Sequence, residues 1–314
     1  MDYVELGNTG ITVSRLCFGS LTIGPLQANL SIEEGAGVIA EALKLGVNFI
    51  DTAQYYRTYS YIKRAIDITG IRPVIASKCY AYTREGAIDS LEKALFETGL
   101  DYIDIFMLHE QESEYTLDGH RDAINYFLEA KRRGLIKAFG VSTHYIRVVH
   151  ALTSMPEVDV VHPILNKSGI GIADGSTIQM LDAINKCSAS GKGIYAMKAL
   201  GGGHLLNEFS ESIKFVMDIP SIDSIAVGMK SKLEVKLNVD LFEGKLVSDD
   251  IIRQMIQNKN LHIEDWCSGC GECVKRCSSN ALIVVNGKVN VDNARCILCG
   301  YCGGVCPEFA LKII

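Results

Sequence analysis

Short apolar runs alternate with amphipathic stretches along the first 245 residues of the chain. The amphipathic stretches indicate surface helices, and the short apolar runs between them indicate buried strands. The first predicted helix begins with a capping box, in which Ser31 is followed three positions later by Glu34, and it ends at Gly46. Other predicted helices end at Gly99 and Gly134. The eight candidate strands are 16–18, 47–50, 73–76, 103–108, 137–141, 158–161, 194–197 and 222–227.

Eight strand–helix units in about 240 residues predict an α/β fold, a closed (β/α)8 TIM barrel. A doubly wound open sheet is the alternative, but no G-x-G-x-x-G follows the first strand, as a dinucleotide-binding open sheet requires. After the barrel, residues 248–261 are predicted to form a helix with one apolar face that packs a further unit against the barrel. The predicted division is a barrel over 1–245, a connecting helix over 246–262 and a small domain over 263–314.

The C-terminal segment contains eight of the 11 cysteines, arranged in two copies of one spacing. Each copy is C-x2-C-x2-C-x3-C, the run with which bacterial two-cluster ferredoxins hold [4Fe–4S] centres. In that arrangement three closely spaced thiolates bind one cluster, and the fourth cysteine of the run binds the other cluster. The expected ligands are Cys267, Cys270, Cys273 and Cys306 for cluster I, and Cys296, Cys299, Cys302 and Cys277 for cluster II.

Two other interpretations of these cysteines are open. A zinc site needs four ligands, usually from two C-x2-C pairs, which leaves the additional cysteines unexplained. Disulfides are typical of small secreted chains, whereas this chain begins without a charged and then apolar signal segment. Ser278 stands where the first run would normally have a proline that shapes a turn. Because Asn286 and Gly287 between short apolar segments predict a type I′ hairpin, we expect a small α+β domain of the bacterial ferredoxin type.

Composition and charge narrow the classes of partner. With 314 residues and 48% hydrophobic composition, the chain can form one large core and a small satellite domain. A net charge of -6 gives no reason to expect nucleic acid or an acidic membrane as a partner. No apolar run approaches the ~20 residues that span a bilayer. Clustered thiolates without an export signal predict a reducing cytoplasm, and Cys17, Cys79 and Cys187 are predicted to be packing residues.

Polar residues directly follow successive predicted strands. Asp51 ends the second strand, Lys78 follows the third, His109 the fourth and Ser142 the fifth. In a barrel the carboxyl ends of the strands converge on the face where chemistry occurs. Any one of these residues could be a helix cap or a solvated rim group. Together they include a lysine and an aspartate that can pair, and we therefore predict an active site there.

Several short motifs accompany these strand ends, namely Leu6-Gly7-Asn8-Thr9-Gly10, Asp51-Thr52-Ala53-Gln54-Tyr55-Tyr56, Ser77-Lys78, Leu108-His109, Gly140-Val141-Ser142 and Gly228-Met229-Lys230-Ser231. With these motifs, residues 1–245 resemble the aldo-keto reductases. With its C-terminal cysteines, the whole chain resembles those members of the family that carry a C-terminal 4Fe–4S ferredoxin domain. The resemblance implies a catalytic tetrad of Asp51, Tyr56, Lys78 and His109, and the spacing of the motif selects Tyr56 rather than Tyr55.

The implied tetrad has a chemical rationale. Hydride attack on a carbonyl creates an alkoxide that needs a proton donor, and a tyrosine hydroxyl with a pKa near ~10 is a weak acid unaided. The Lys78 ammonium is expected to stabilise the phenolate of Tyr56 and so to lower its pKa. Asp51 is expected to hold Lys78 protonated and oriented. Neutral His109 is expected to donate a hydrogen bond to the carbonyl oxygen and orient it.

The resemblance also implies that the barrel binds a nicotinamide nucleotide, NADP(H) or NAD(H). The chain departs from the family pattern at His162 in place of glutamine, at Met197 in place of a stacking aromatic residue and at Arg57 in place of glycine. Glu234 and Leu237 replace a common arginine and glutamate near the adenine, and the carboxylate of Glu234 would repel a 2′-phosphate. The expected contacts are Ser142 and Thr143 at the carboxamide, Asn166 beside them, Gly201, Gly202 and Gly203 at the pyrophosphate, and Lys230, Ser231 and Asn238 at the adenosine.

Two functions remain open from the sequence. The first is an NAD(P)-dependent oxidoreductase for a small carbonyl or alcohol substrate, in which two [4Fe–4S] clusters link the barrel to a one-electron redox partner protein. The second is an electron-transfer or redox-sensing protein whose barrel binds nucleotide with little turnover, as His162, Met197 and the short segment between the seventh and eighth strands suggest. Because a hydride carries two electrons and a cluster takes one at a time, a flavin could mediate, although no segment indicates a flavin site.

Overall fold

The computed structural model describes residues 1–314 and begins with an antiparallel hairpin, β1 (Tyr3–Glu5) and β2 (Thr12–Ser14). Eight parallel strands then form a closed barrel in which each strand pairs with the next along the chain and the last pairs with the first. The predicted TIM barrel is confirmed, and the open sheet is wrong. The barrel strands are β3 (Leu16–Gly19), β4 (Phe49–Asp51), β5 (Val74–Cys79), β6 (Ile103–Leu108), β7 (Ile136–Thr143), β8 (Val160–Pro163), β9 (Gly193–Met197) and β10 (Ser224–Gly228).

Helices connect the strands. The predicted capping box is present at the first helix, where Ser31 Oγ accepts the N–H of Glu34 at 3.3 Å and the Glu34 carboxylate accepts the N–H of Ser31 at 3.1 Å. Gly99 ends α3 with a φ of 70°, the left-handed conformation that favours glycine at this position. None of the helices combines the length and the apolar composition needed to cross a membrane. The helices are α1 (Ile32–Lys44), α2 (Tyr59–Thr69), α3 (Arg84–Thr98), α4 (Glu114–Gly119), α5 (Arg121–Arg132), α6 (Ile146–Thr153), α7 (Thr177–Ala189), α8 (Phe209–Met217) and α9 (Lys232–Phe242).

Three barrel strands, β4, β8 and β10, begin two residues later than the apolar pattern predicts. The residues predicted to begin them, Val47, Val158 and Ile222, are buried in the turns that precede the strands. Each donates its backbone N–H to a carbonyl three to five residues earlier, at 3.0 to 3.1 Å. An apolar residue in the turn between a helix and a strand can therefore be as buried as a strand residue although it forms no strand pairing. The apolar pattern extends these strands too far for this reason.

The β1–β2 hairpin closes the floor of the barrel. Leu6 and Val13 of this segment are fully buried and pack with barrel residues that include Phe49, Ile105 and Tyr195. Burial of this apolar plug stabilises the closed barrel and fills its amino-terminal half. The space that remains inside the barrel therefore lies at the carboxyl ends of the strands.

After the barrel, α10 (Asp249–Gln257) and β11 (Leu261–Ile263) lead into the cysteine-rich domain. The helix predicted over 248–261 is too long by four residues at its C-terminal end. Leu261 instead pairs in an antiparallel register with Ile313 of the last strand. Met255 is the buried residue of the predicted apolar helix face, whereas Ile251 of that face is 38% exposed. The proposed boundaries at residues 245 and 263 stay a prediction.

The cysteine-rich domain is small and contains two antiparallel strand pairs. Asn286 and Gly287 have φ values of 51° and 75°, both left-handed, as a type I′ turn requires, so the predicted hairpin is confirmed. The domain comprises β11, α11 (Glu272–Arg276), β12 (Leu282–Val285), β13 (Lys288–Val291) and β14 (Leu311–Ile313).

This domain docks on the carboxyl-terminal face of the barrel. His204 Nε2 lies 2.8 Å from the carbonyl oxygen of Leu311, so a backbone group of β14 is bonded to a barrel side chain. Two glycines allow close approach: a Cβ on Gly300 would lie 2.3 Å from the His204 carbonyl oxygen, and a Cβ on Gly203 would lie 2.1 Å from that of Ile313. The two domains therefore meet through backbone contacts that a side chain at either glycine would block.

Candidate active site

A cavity of about 520 Å³ lies at the carboxyl ends of the barrel strands. The volume is within the range of small-molecule sites. Its wall includes polar residues of the barrel and, unexpectedly from the sequence, residues of the cysteine-rich domain. The barrel contributes Asp51, Tyr56, His109, His162, Met197 and Lys198 among others, and the C-terminal part contributes Lys259, Glu264, Trp266, Lys312, Ile313 and Ile314.

Three residues of the implied tetrad, Asp51, Tyr56 and His109, line this cavity, and the fourth, Lys78, is bonded to Asp51. Lys78 Nζ donates to Asp51 Oδ1 at 2.5 Å and to the carbonyl oxygen of Thr52 at 2.9 Å, and the Lys78 side chain is 1% exposed. Tyr56 Oη and His109 Nε2 are 3.4 Å apart. These residues come from the ends of three adjacent strands and the turn after β4, so the barrel register brings them together.

The Tyr56 phenol differs from the expectation in one respect. Burial raises its pKa well above the ordinary value, and the negative charges of Asp51 and Glu110 raise it further. Lys78 Nζ lies 5.0 Å from the centre of the Tyr56 ring, over its face, and its hydrogen bonds go to Asp51 and Thr52. The net shift of the Tyr56 pKa is therefore upward and the predicted lowering is wrong, because burial and the two carboxylates outweigh an ammonium that is already paired with Asp51.

His109 is neutral, as the sequence analysis expects. Burial lowers its pKa to about 3. Its Nδ1 is buried without a hydrogen-bond partner, and its ring stacks on Tyr80 with 4.5 Å between ring centres. A neutral imidazole carries one N–H, and in His109 only Nε2 faces a polar group, the hydroxyl of Tyr56. The proton is therefore assigned to Nε2, from which it points towards Tyr56 and the cavity.

Two further side chains surround the Asp51 carboxylate. Tyr195 Oη donates to Asp51 Oδ1 at 2.9 Å, and His162 Nε2 lies 3.5 Å from the same oxygen. Burial lowers the pKa of His162 to about 4, and its Nδ1 lies 2.6 Å from the Tyr195 carbonyl oxygen, so it is a neutral donor to the backbone. Burial alone would raise the pKa of Asp51, but the Lys78 ammonium and the hydrogen bonds from Lys78 and Tyr195 outweigh it and lower that pKa below its usual value.

The side chains expected to contact a nicotinamide carboxamide form hydrogen bonds with backbone groups of this chain. Ser142 Oγ accepts a backbone N–H at 2.8 Å, Thr143 Oγ1 donates to a backbone carbonyl at 2.6 Å, and Asn166 Nδ2 donates to another at 2.8 Å. All three side chains are fully buried, and none of them lines the cavity. They support the loops after β6, β7 and β8, and their contact with a carboxamide stays a prediction.

The residues expected at the phosphates and the adenosine fall into two groups. In the run Gly201–Gly203, the amides of the first and third glycines donate to backbone carbonyls at 2.7 and 2.9 Å, and the run packs against β14. Lys230 and Asn238 line the cavity, and Asn238 Oδ1 is buried without a partner. Ser231 caps α9, where its side chain accepts the N–H of Glu234. Of these predicted contacts, Gly202, Gly203, Lys230 and Asn238 line the cavity, whereas Gly201 and Ser231 do not.

The cysteines form the two predicted groups. A separate small cavity is lined by four cysteines, which are the four that the spacing assigns to cluster II. In the other group, burial and the negative charge of the three neighbouring cysteines in their thiolate form raise the pKa of Cys273 to about 11. All cysteines are free, so the disulfide interpretation is wrong. The small cavity is lined by Cys277, Cys296, Cys299 and Cys302. The neighbours of Cys273 in the other group are Cys306, Cys267 and Cys270.

The cysteine sulfurs also accept backbone hydrogen bonds in a repeated pattern. The N–H of Ala281 donates to Cys277 Sγ at 3.3 Å, and the N–H of Ala310 donates to Cys306 Sγ at 3.3 Å. Each donor lies four residues after the last cysteine of its run. Such bonds are one of the means by which proteins stabilise anionic cluster sulfurs. The donor set and its surroundings therefore fit iron–sulfur ligation.

Four cavity residues or neighbours escaped the sequence analysis. Lys198 directly follows the seventh strand and Glu110 follows His109, so the strand-end pattern that identified Asp51 could have identified them. Tyr195 and Lys312 lie inside apolar runs, where no periodicity distinguishes them from core positions.

Comparisons with known proteins agree with this geometry. The aldo/keto reductase family model matches residues 15–267, and the 4Fe-4S dicluster domain model matches residues 259–307. The chain is 24% identical to the L-galactose dehydrogenase of Arabidopsis thaliana over 215 residues, 65% of this chain and 66% of that protein. It is 30% identical to an aldo-keto reductase of Mycolicibacterium paratuberculosis over 152 residues, 45% of this chain and 52% of that protein. The chain thus spans about half to two thirds of the length of these relatives.

Solved structures show the same barrel. An aldo-keto reductase from Pseudomonas aeruginosa superposes with a TM-score of 0.65 at 25% identity, covering 77% of this chain and 94% of that chain. The holo form of an aldo-keto reductase from Bacillus halodurans superposes with a TM-score of 0.66 at 18% identity, covering 81% and 96%. The chain belongs to the aldo/keto reductase family and carries a 4Fe-4S dicluster domain at its C-terminal end.

Proposed function

We propose that this protein is an oxidoreductase that interconverts small carbonyl compounds and alcohols, and that its cysteine-rich domain connects this site with one-electron transfer. The observation that supports the first part is the meeting of Tyr56, His109, Lys78 and Asp51 at one end of a cavity of small-molecule size. Three of these four side chains are buried polar or charged groups at strand ends, whereas residues that only pack the core are ordinarily apolar.

Tyr56 and His109 supply the acid and the hydrogen-bond donor. Their polar atoms are 3.4 Å apart, so a carbonyl oxygen at the cavity wall can reach both. His109 donates from Nε2 to that oxygen and keeps it oriented, because its low pKa leaves it neutral near pH 7. Tyr56 stays protonated and can give its proton to an alkoxide, which is a much stronger base than a phenolate. Lys78, over the ring, stabilises the phenolate that remains.

NADP(H) or NAD(H) is proposed as the hydride source from membership of the family alone. Reduced nicotinamide, when bound, supplies a hydride. Gly202, Gly203, Lys230 and Asn238 are the residues of the predicted set that line the cavity and could hold the nucleotide. Ser142, Thr143 and Asn166 do not line it, and which nucleotide is used stays open.

We propose two [4Fe–4S] clusters with the ligand sets that the spacing predicts. A [4Fe–4S] cluster exchanges one electron at a time. Ile313 lines both the barrel cavity and the cavity of the second cysteine set, so the two sites are neighbours that share this residue. Cys270 of the first set is exposed, which would allow a redox partner protein to approach. A flavin mediator and a cytoplasmic location stay predictions.

Replacing Tyr56 by Phe tests the proposal. In protein purified anaerobically, we expect carbonyl reduction with NAD(P)H to fall by about 100-fold or more, because general-acid catalysis is lost. The cluster absorbance should be unchanged. Tyr55→Phe is the matched control, because Tyr55 also lines the cavity but is 45% exposed. Full turnover by the Tyr56→Phe protein would rule out the assignment.

A second function, electron transfer or redox sensing with little turnover, is favoured by one observation. The polar atoms of Ser142, Thr143 and Asn166 are already bonded to the backbone. Nucleotide binding without turnover on a broad panel of aldehydes and ketones would support this function. Rapid steady-state reduction of any of these carbonyl compounds would count against it.

A further inference from the structure

Two lysines, one from each domain, lie close to the same aromatic ring at the wall of the barrel cavity. Lys198 follows β9 in a left-handed backbone conformation with a φ of 62°, and Lys312 lies in β14. Both line the cavity. The centre of the Phe309 ring is 4.7 Å from Lys198 Nζ and 3.0 Å from Lys312 Nζ. Two cations therefore point at one small region where the domains meet.

Neither ammonium forms an ion pair. Lys198 Nζ is 3.0 Å from His144 Nε2, and Lys312 Nζ donates to the backbone carbonyl of Phe309. Burial, followed by the charge of Lys198, lowers the pKa of His144 well below its usual value, so this histidine is a neutral acceptor. By contrast, Lys259 of the same cavity is paired with Glu234 at 2.9 Å. The positive charges of Lys198 and Lys312 at the domain junction therefore have no carboxylate in contact with them.

The nearest carboxylates have other partners. Glu110 accepts the hydroxyl of Tyr80 at 2.5 Å, and Glu264 Oε2 lies 3.3 Å from His262 Nε2. Neither carboxylate comes within 4.0 Å of either ammonium, the distance of a salt bridge, although both line the cavity and attract the lysines from farther away.

Burying two like charges side by side has a cost. Burial lowers the pKa of Lys312 well below its usual value and Lys198 lowers it further, while Glu264, the Cys306 thiol and Glu110 oppose the shift. Burial also lowers the pKa of Lys198, against the attraction of Glu110. An anion that accepts hydrogen bonds from both ammonium groups would remove much of this cost, because it replaces the counter-ion that the fold does not supply.

We infer that Lys198 and Lys312 bind the anionic group of the substrate, a carboxylate or a phosphate carried by a small carbonyl compound. The inference rests on the proposed carbonyl chemistry, in which Tyr56 and His109 act on the oxygen of the same molecule in the same cavity. Because Lys312 belongs to the cysteine-rich domain, that domain helps to select the substrate in addition to carrying electrons.

Matched pairs of carbonyl compounds test the inference. Pyruvate and 2,3-butanedione have similar skeletons but differ in charge, and glyceraldehyde 3-phosphate and glyceraldehyde differ by the phosphate. We expect kcat/KM of the wild type to favour one charged member, and Lys312→Met to reduce that value by about 10-fold to 100-fold, as for a lost charge-assisted hydrogen bond. For the uncharged partner the change should stay within about threefold. Which pair responds distinguishes a carboxylate from a phosphate.

Three controls make the result specific. Lys198→Met should reproduce the effect, and Lys198→Arg should restore part of the charged-substrate activity, because the charge returns. Lys236→Met removes a lysine whose side chain is 68% exposed on α9, away from the cavity, and should change neither substrate. Cluster absorbance and melting temperature should match the wild type. An equal loss for charged and uncharged substrates in Lys312→Met would overturn the inference.

A binding measurement separates this inference from the proposed function. Calorimetric titration of the Tyr56→Phe protein with oxamate and with inorganic phosphate should show binding of at least one of the two anions. Lys312→Met in that background should abolish the binding. Such binding, together with a wild-type protein that reduces no carbonyl compound, would support the anion site and contradict the proposed function. Absence of binding of both anions would contradict the anion site.

Discussion

The hydroxyl of Tyr195 donates a 2.9 Å hydrogen bond to Asp51 Oδ1, the carboxylate oxygen that also accepts from Lys78. Tyr195 lies on β9 inside the barrel, and burial raises its pKa so that it remains a protonated donor. The charge of Asp51 is therefore shared between two donors. Tyr195 is a positioning residue for the carboxylate that holds Lys78.

Replacing Tyr195 by Phe is expected to weaken the tetrad without removing it. The free energy of unfolding should fall by about 1.5–3 kcal/mol, because a hydrogen bond to a buried charge is lost. The pKa of Asp51 should rise, so the acid limb of the kcat profile should move to higher pH. Tyr61→Phe is the control, since Tyr61 donates to a backbone carbonyl at 2.7 Å outside the barrel. An unchanged acid limb in Tyr195→Phe would contradict this role.

Gly203 is expected to be essential for docking of the cysteine-rich domain. In Gly203→Ala, the new methyl group would lie 2.1 Å from the Ile313 carbonyl oxygen, and the backbone has a φ of 92°. Gly10→Ala is the matched control, because Gly10 has a φ of 70° and no atom within 4 Å of a Cβ. Gly10→Ala should cost about 1–2 kcal/mol from the conformation alone. Gly203→Ala should cost more and should speed proteolysis after residue 245, as thermal melts and limited digestion would show. Equal effects of the two substitutions would indicate that the contact is unimportant.

Acid should destabilise the protein through His109. Its pKa is lowered to about 3 from an ordinary value of 6.5, so the unfolded chain binds the proton more tightly than the folded chain. The contribution of His109 to stability is therefore lost as the pH falls from about 6.5 towards 3. Between pH 7 and pH 5 the free energy of unfolding should decrease by about 2 kcal/mol on account of this residue. Denaturant melts of the wild type and of His109→Gln at both pH values would measure the difference, and parallel losses in the two proteins would refute it.

Removing one cysteine should remove one cluster. Cys302→Ser is expected to reduce the iron content of anaerobically purified protein from about eight to about four atoms per chain, because Cys302 belongs to the second set. Cys187→Ser should leave the iron content unchanged, since Cys187 is a buried residue of α7 in the barrel. A full complement of iron in Cys302→Ser would contradict the predicted ligand sets.

The catalytic candidates could be predicted because strand ends are visible in a sequence. Asp51, Lys78 and His109 each end or follow an apolar run, and a closed barrel brings consecutive strand ends to one face. The expectation for the Tyr56 pKa was wrong because it counted Lys78 as a free charge and left out burial and the two carboxylates. The lysine is paired with Asp51, and this pairing depends on side-chain geometry that spacing does not contain.

The nucleotide contacts show the opposite case. Ser142 and Asn166 have the residue types that the family pattern requires, yet both are buried and bonded to nearby backbone. Gly202 and Gly203, predicted to contact a pyrophosphate, line the cavity but also pack against Phe309 and Ile313 of the cysteine-rich domain. A polar residue or a glycine run has the same sequence whether it supports the fold or contacts a nucleotide. Only the residues that surround it in the structure distinguish the two roles.

The sequence by itself determined the eight-strand barrel, because the strands recur at regular spacing, and it indicated which polar residues end the strands and how the two cysteine runs would pair. Only the tertiary structure decided that the cysteine-rich domain covers the barrel mouth and places Lys312 beside Lys198. These contacts join residues more than 100 positions apart through backbone surfaces, and local patterns of polarity carry no record of which surfaces meet.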